Sequence, residues 1–213
     1  SVWTWPLAGE PFFPGIYRVD FFTQFVKTLI AGGFLFVAAI NGQPRTVRSD
    51  AWAEMPMFLL LATTGMMMLT SAMELVTLYI SMELAAYPIY IAVALHRNRD
   101  VGGEGSTKYM LQGMVASAIT LYGLSFLFGL AGSTYLAAIS SQLGTLATQP
   151  LFWLAVLLVM AGFLFKLAAF PFHFWAPDTY QTAPHEVVTF VATASKVAAI
   201  AVLCRIAALV APA

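Results

Sequence analysis

Charge is what this sequence has least of. Only 9% of its 213 residues are Asp, Glu, Lys or Arg, where a soluble domain of this size carries roughly a quarter. Ten basic residues balance ten acidic ones, so there is no basic footprint for nucleic acid. Cys204 is the single cysteine, which rules out an internal disulfide and any multi-cysteine metal or iron–sulfur site. No trio of His, Asp or Glu has metal-ligand spacing, and there is neither a glycine-rich phosphate loop nor a Ser-His-Asp arrangement. The leader SVWTWPLAGEPFFPG lacks a basic stretch followed by an apolar one, so it does not read as a signal peptide. A start at Ser1 and an end just past an apolar run, at Ala213, lead us to expect part of a longer chain.

What is present is apolar. Hydrophobic residues make up 60% of the chain and its mean hydropathy is +0.81. The runs reach about 20 residues, the length that crosses a hydrocarbon core at 1.5 Å per residue. Six spans are expected, at 20–40, 55–72, 75–95, 109–131, 151–175 and 187–210. The second and third are nearly continuous and are separated at TSAMEL. Backbone groups in lipid must be satisfied within the segment, so the spans are helices. The fold class is therefore all-α: a polytopic membrane helix bundle of about six transmembrane helices, one of them discontinuous near Pro171. The chain 1–213 reads as a single membrane domain, with a leader or loop at 1–19, a first helix and cytoplasmic loop at 20–54, and five helices over 55–211. A short amphipathic piece is expected at 134–143, followed by a polar turn at 141–150.

Arg45 and Arg48 lie in loop 41–54, and Arg97, Arg99 and Lys108 in loop 96–108, whereas loop 132–150 has no charge. The positive-inside rule makes the first two loops cytoplasmic and puts the N-terminus outside. Alternation puts loop 176–186 inside and Arg205 near the outer end of the last span. Trp153 and Trp175 fall near the ends of the fifth span, as interfacial aromatics do.

Three ionisable residues stand well inside spans: Glu83, Lys166 and Lys196. Each opposes insertion by about 2.5 to 3.5 kcal/mol, so bundle contacts or water must offset roughly 8 to 10 kcal/mol in all. Such charges face an interior, pair with one another, and mark ion or proton paths; the bland alternative is an ion pair that only fixes packing. In ELAAYP (83–88) and KLAAFP (166–171) a proline follows five residues after the charge. Lacking an N–H, Pro88 should release the carbonyl of Leu84, and Pro171 that of Leu167, giving a loosened helix able to hold water. Glu83, Lys166 and Lys196 are thus expected to titrate as a coupled set. His173 is a candidate relay, or else a histidine satisfied by a released carbonyl. Glu74 reads as interfacial, Lys27 as snorkelling beside Arg18 and Asp20, Glu186 beside His185 as suited to a helix start, and Asp178 as a turn cap.

The stretches SMELAAYPIY around Glu83, KYMLQGMVASAITLYGLSFLFGLAGS (108–133), GFLFKLAAFPFHFWAPDTYQTAP (162–184) and ASKVAAIAVLCR (194–205) resemble the antiporter-like subunit N of proton-pumping NADH-quinone oxidoreductase, respiratory complex I. The resemblance runs from about Asp20 to Val210. The pattern around Lys166, with Asp178, Thr179 and Tyr180, favours subunit N over its sister subunits L and M. It implies one five-helix antiporter-like repeat preceded by one helix. Glu83 would be the acid of the path, Lys166 the lysine at the helix break, and Lys196 the central lysine. It further implies a translocase subunit with no redox centre or cofactor of its own, in the bacterial cytoplasmic (inner) membrane. Its partners would be other membrane subunits, the lipid bilayer, FMN and iron–sulfur subunits, and a quinone reduced elsewhere. Family members are about twice as long, with a second inverted repeat, so this chain alone is not expected to be a complete pump. They also commonly continue Ala-Pro with Thr-Pro, where this chain has His185 and Glu186. A cation/proton antiporter or membrane-bound hydrogenase subunit shares the same repeat, and a helical scaffold is the third reading.

Overall fold

The computed structural model describes residues 15–40, 47 and 49–210. Arg45 and Arg48, which carry part of the orientation reading, and residues 1–14 of the leader lie outside the described residues. The chain runs as α1 (Phe21–Ile40), α2 (Glu54–Ser71), α3 (Leu75–Ala94), α4 (Arg99–Ala131), the short α5 (Leu136–Ser141) and α6 (Leu143–Leu146), α7 (Pro150–Leu167), α8 (Trp175–Thr182), α9 (His185–Phe190) and α10 (Lys196–Val210). A π-helical turn, Val191–Ser195, joins the last two.

Five stretches are long and apolar enough to cross a membrane: Phe21–Ala39, Leu75–Ala94, Gly103–Ala131, Pro150–Leu167 and His185–Val210. The remaining expected span, 55–72, forms α2, which Glu54, Pro56 and its threonines make less apolar. It packs along α3, α1 and α10, and its threonine hydroxyls are turned back onto its own carbonyls, Thr63 to Leu59 at 2.7 Å and Thr64 to Leu60 at 3.0 Å. The hydroxyls are thereby satisfied without a partner helix.

The separation of α2 from α3 falls where TSAMEL stands. Residues 72–74 are extended and held from both sides: the Met73 amide donates to the Ile16 carbonyl at 2.8 Å, and the Leu136 amide donates to the Met73 carbonyl at 3.0 Å. Glu74 then caps α3, accepting from the Thr77 amide at 3.3 Å and the Thr77 hydroxyl at 2.6 Å.

Three boundaries depart from expectation. The basic loop 96–108 is mostly helix, because α4 starts at Arg99 and spans 33 residues, about 50 Å at 1.5 Å per residue. Within it, Lys108 bonds Glu104 one turn earlier at 2.8 Å, a spacing that supports the helix. The expected loop 176–186 contains α8. And α7 stops at Leu167, before Pro171 rather than across it.

That stop has a local cause. Ala168 adopts the left-handed conformation, φ 54°; its amide donates to the Phe165 carbonyl at 3.0 Å, and the Ala169 amide donates to the Leu164 carbonyl at 2.9 Å. This is the Schellman pattern, closed with alanine where glycine is usual; the left-handed Cβ costs about 1 kcal/mol. The Leu167 carbonyl is therefore a helix-end group and not one released by Pro171, as the sequence had suggested. Pro88, in contrast, sits inside a continuous α3.

Two apolar clusters fill the interior. One gathers residues of α1 and α2 with the aromatics Tyr90, Tyr109, Phe165 and Trp175. The other gathers Leu78, Met82, Leu124, Phe163 and Val202. Close approach is needed between α2 and α3: a Cβ on Gly65 would collide with the backbone of Leu84 and Ala85. Small residues permit such contacts between membrane helices.

Candidate functional site

The seam between the two clusters is polar. Glu83 projects from α3, half-buried, and Ser117 of α4 donates its hydroxyl to Oε1 at 2.5 Å. The Tyr79 hydroxyl lies 2.9 Å from Ser117 Oγ. A hydroxyl has one proton to give, so Tyr79 donates to Ser117 while Ser117 donates to the carboxylate. The result is a directional chain, Tyr79 to Ser117 to Glu83.

Lys166 comes from the last turn of α7, where the negative end of the helix favours a cation. Its Nζ donates to the Met82 carbonyl at 3.2 Å, one residue before Glu83 on α3. The two charges thus reach the same turn of α3. Among the described residues no ion pair within 4.0 Å joins them, although the Glu83 carboxylate acts on the Lys166 ammonium through space. Each is instead bonded to a neutral partner. The Phe165 carbonyl beside Lys166 accepts from the Trp175 indole at 2.9 Å, which fastens α8 to the end of α7.

Lys196, expected to join them, has an aromatic neighbour. It is the first residue of α10, directly after the π turn, and its Nζ lies 6.0 Å from the Tyr180 ring centroid, at the outer reach of a cation–π contact. His173 is neither satisfied by a released carbonyl nor bonded to the charges. Its ring lies 6.0 Å from that of Phe170 and 4.4 Å from that of Phe174, and its buried Nδ1 has no hydrogen-bond partner among the described residues. Asp178 is not a turn cap: it sits in the first turn of α8 and accepts from Lys108 Nζ at 3.1 Å.

At the α1 end of the bundle the charges are closed on each other. Arg205 Nη2 bonds both oxygens of Asp20, at 2.9 and 3.1 Å, and Arg18 Nε reaches Oδ2 at 3.2 Å. Asp20 also caps α1, accepting from the Thr23 amide at 2.9 Å. Burial alone would raise its carboxyl, but the Thr23 amide and the Arg205 guanidinium outweigh that and hold it below the ordinary carboxylate range. Glu74 is likewise opposed by burial, yet the Thr77 and Thr134 hydrogen bonds keep it below that range. The Arg205 side chain is buried, 7% exposed. Lys27, expected to snorkel, is half-buried and in the field of Arg205 and Asp20.

The sequence reading missed Ser117 and Tyr79, whose neutral hydroxyls leave little mark on hydropathy. A signal was available: Gly113, Ser117 and Thr120 recur at helical spacing on one face of α4, the mark of a close interface that can hold hydroxyls. No group of His, Cys, Asp or Glu among the described residues could hold a metal ion.

With this arrangement of helices and buried charges in hand, similarity to known proteins becomes informative. The signature described as NADH:quinone oxidoreductase/Mrp antiporter, TM covers residues 72–212. The chain belongs to that family. It is 42% identical over 203 residues to NADH-quinone oxidoreductase subunit N 2 of Opitutus terrae, a match covering 94% of this chain and 42% of that protein. Among solved structures it is similar to a chain of respiratory complex I from Thermus thermophilus with bound aureothin: TM-score 0.79 and 36% identity, over 96% of this chain and 43% of that one. The Mrp complex from Dietzia sp. matches at 22% identity and TM-score 0.73, over 91% of this chain and 36% of that one, which shows a shared fold alone. The chain spans less than half the length of the curated relatives it matches. The family of the sequence resemblance and its helical fold class both hold.

Proposed function

We propose that this chain forms one proton half-path of an antiporter-like subunit N in an NADH-quinone oxidoreductase, residues 55–211 being the channel repeat. Glu83 and Lys166 exchange protons at the seam, with Lys196 the next site along the path and His173 a relay at the break. The observation that carries this reading is Lys166 Nζ bonded to the Met82 carbonyl, one residue from an acid whose carboxylate is fed by the Tyr79–Ser117 hydroxyl chain. Both side chains reach the same turn of α3, so displacing either changes the field at the other. Driving energy comes from quinone reduction in partner subunits carrying FMN and iron–sulfur clusters, within the bacterial cytoplasmic membrane and with the N-terminus outside.

The test is proton translocation by the assembled complex. Glu83→Gln and Lys166→Ala should each cut pumping per complex by roughly a hundredfold, the scale of a lost proton-transfer group, while the subunit still co-purifies with flavin and iron–sulfur partners. Normal pumping per complex in both variants would reduce the charges to packing devices. Co-purification without flavin partners would favour a cation/proton antiporter.

A further inference from the structure

Where α1 begins and α10 ends, a concavity of about 270 Å3 is lined by Arg18, Asp20, Phe22, Cys204, Arg205 and Leu209. Its charges do not cancel. Asp20 is shared by Arg205 and Arg18, and the ammonium of Lys27, further along α1, acts on the same pair. Among the described residues of the lining, two guanidiniums share one carboxylate, which leaves the concavity a net positive charge. Arg205 is 8% exposed, and its Nε is buried with no hydrogen-bond partner among the described residues. Besides the shared carboxylate, the guanidinium meets among the described residues the Met73 sulfur, at 3.7 Å, and the Phe22 ring, 5.8 Å from Cζ, so its positive charge is only partly answered. At the rim, the Arg18 side chain is 59% exposed.

The ligand class follows from the neighbours of these charges. Guanidiniums match phosphate oxygens in geometry as well as charge. Phe22, 41% exposed, and Leu209 form an apolar wall beside them, which a free inorganic anion would leave unused. We propose that this concavity holds the phosphate headgroup of an anionic phospholipid between Arg18 and Arg205, with its acyl chain lying along Phe22 and Leu209. The site is independent of the Glu83–Lys166 pair.

Cys204 makes the proposal measurable. It is the single cysteine of the chain, it is exposed, and it lines the concavity, so its alkylation by N-ethylmaleimide reports occupancy. The chain is reconstituted in phosphatidylcholine vesicles with and without phosphatidylglycerol, and a third sample receives inorganic phosphate in phosphatidylcholine alone. Phosphatidylglycerol should slow Cys204 alkylation, and Arg18→Gln should relieve the slowing by about fivefold, the worth of one basic side chain at an anionic membrane surface. Arg18→Lys should retain most of it. Arg18 is chosen because Arg205 variants threaten folding. Equal rates in both vesicle types, or protection unchanged in Arg18→Gln, would overturn the proposal. So would equal protection by inorganic phosphate alone, which would make the site one for a free anion.

Discussion

Asp20–Arg205 and Glu83–Lys166 are the same chemistry built in two ways. In the first, a carboxylate and a guanidinium make direct bonds at 2.9 and 3.1 Å, and the acid also caps a helix. In the second, acid and ammonium reach one turn of α3, yet each bonds to a neutral group, a serine hydroxyl or a backbone carbonyl. A closed pair resists change, because moving either member strands a buried charge. An open pair keeps its members individually satisfied, so protonation can change without dismantling the packing. Burial of charge therefore does not by itself distinguish the two sites; the identity of the partners does.

The comparison breaks most visibly on stability. Arg205→Ala should destabilise the folded chain by about 3 kcal/mol, toward the low end for breaking a buried pair because Arg18 still faces Asp20. Lys166→Ala should cost less, about 1.5 kcal/mol, since a charged hydrogen bond to a carbonyl and a through-space attraction to Glu83 are lost but no direct ion pair is broken. Unfolding of detergent-solubilised chain by SDS measures both; equal losses would erase the distinction between the pairs. The first pair also carries a pH signature. Asp20 is held below the ordinary carboxylate range in the folded state, so its contribution is fully present above that range. It is lost as pH falls through the lower folded-state value, and in Arg205→Ala that acid-side loss should shrink.

Next in size is the close approach that sets the position of Glu83. Gly65→Ala places a methyl against the Leu84 and Ala85 backbone. It should cost about 2 kcal/mol by overpacking, readable in the same titration, and should disturb pumping more than its stability loss explains. The smallest effect is expected for Tyr79→Phe, which removes the outer hydroxyl of the chain to Glu83 for about 1 kcal/mol. If proton uptake by the complex is slowed at a temperature well below the midpoint of both forms, the hydroxyl chain conducts; unchanged uptake would confine Tyr79 to packing.

Much of the fold was legible because bilayer length and the cost of charge are strong one-dimensional constraints. Spans and the three deep charges follow from them directly. The end of α7 did not, since the chain turns at Ala168 through a left-handed alanine, a position with no sequence mark, three residues before the proline that seemed responsible. Nor did the start of α4, where helix-compatible residues such as Glu104 and Lys108 look loop-like simply because they are polar. The Asp20–Arg205 bond joins residues 185 apart, beyond any local pattern. Glu83 and Lys166 were found by their charge, but Ser117 and Tyr79, which define how that charge is held, are neutral and escaped. Lys196 was found by the same cost of charge, but that its Nζ lies over the Tyr180 ring was not readable.

That facing turns on the wide turn Val191–Ser195 immediately before it. A π turn contains one surplus residue relative to α geometry. Were the surplus passed toward the C-terminal end of α10, Lys196 would swing by about 100° around the helix axis, one residue's rotation at 3.6 per turn. The ammonium could then leave the face of Tyr180 for another wall of the bundle while the ends of the helix keep their depth in the bilayer. A side chain that pivots in place needs no piston.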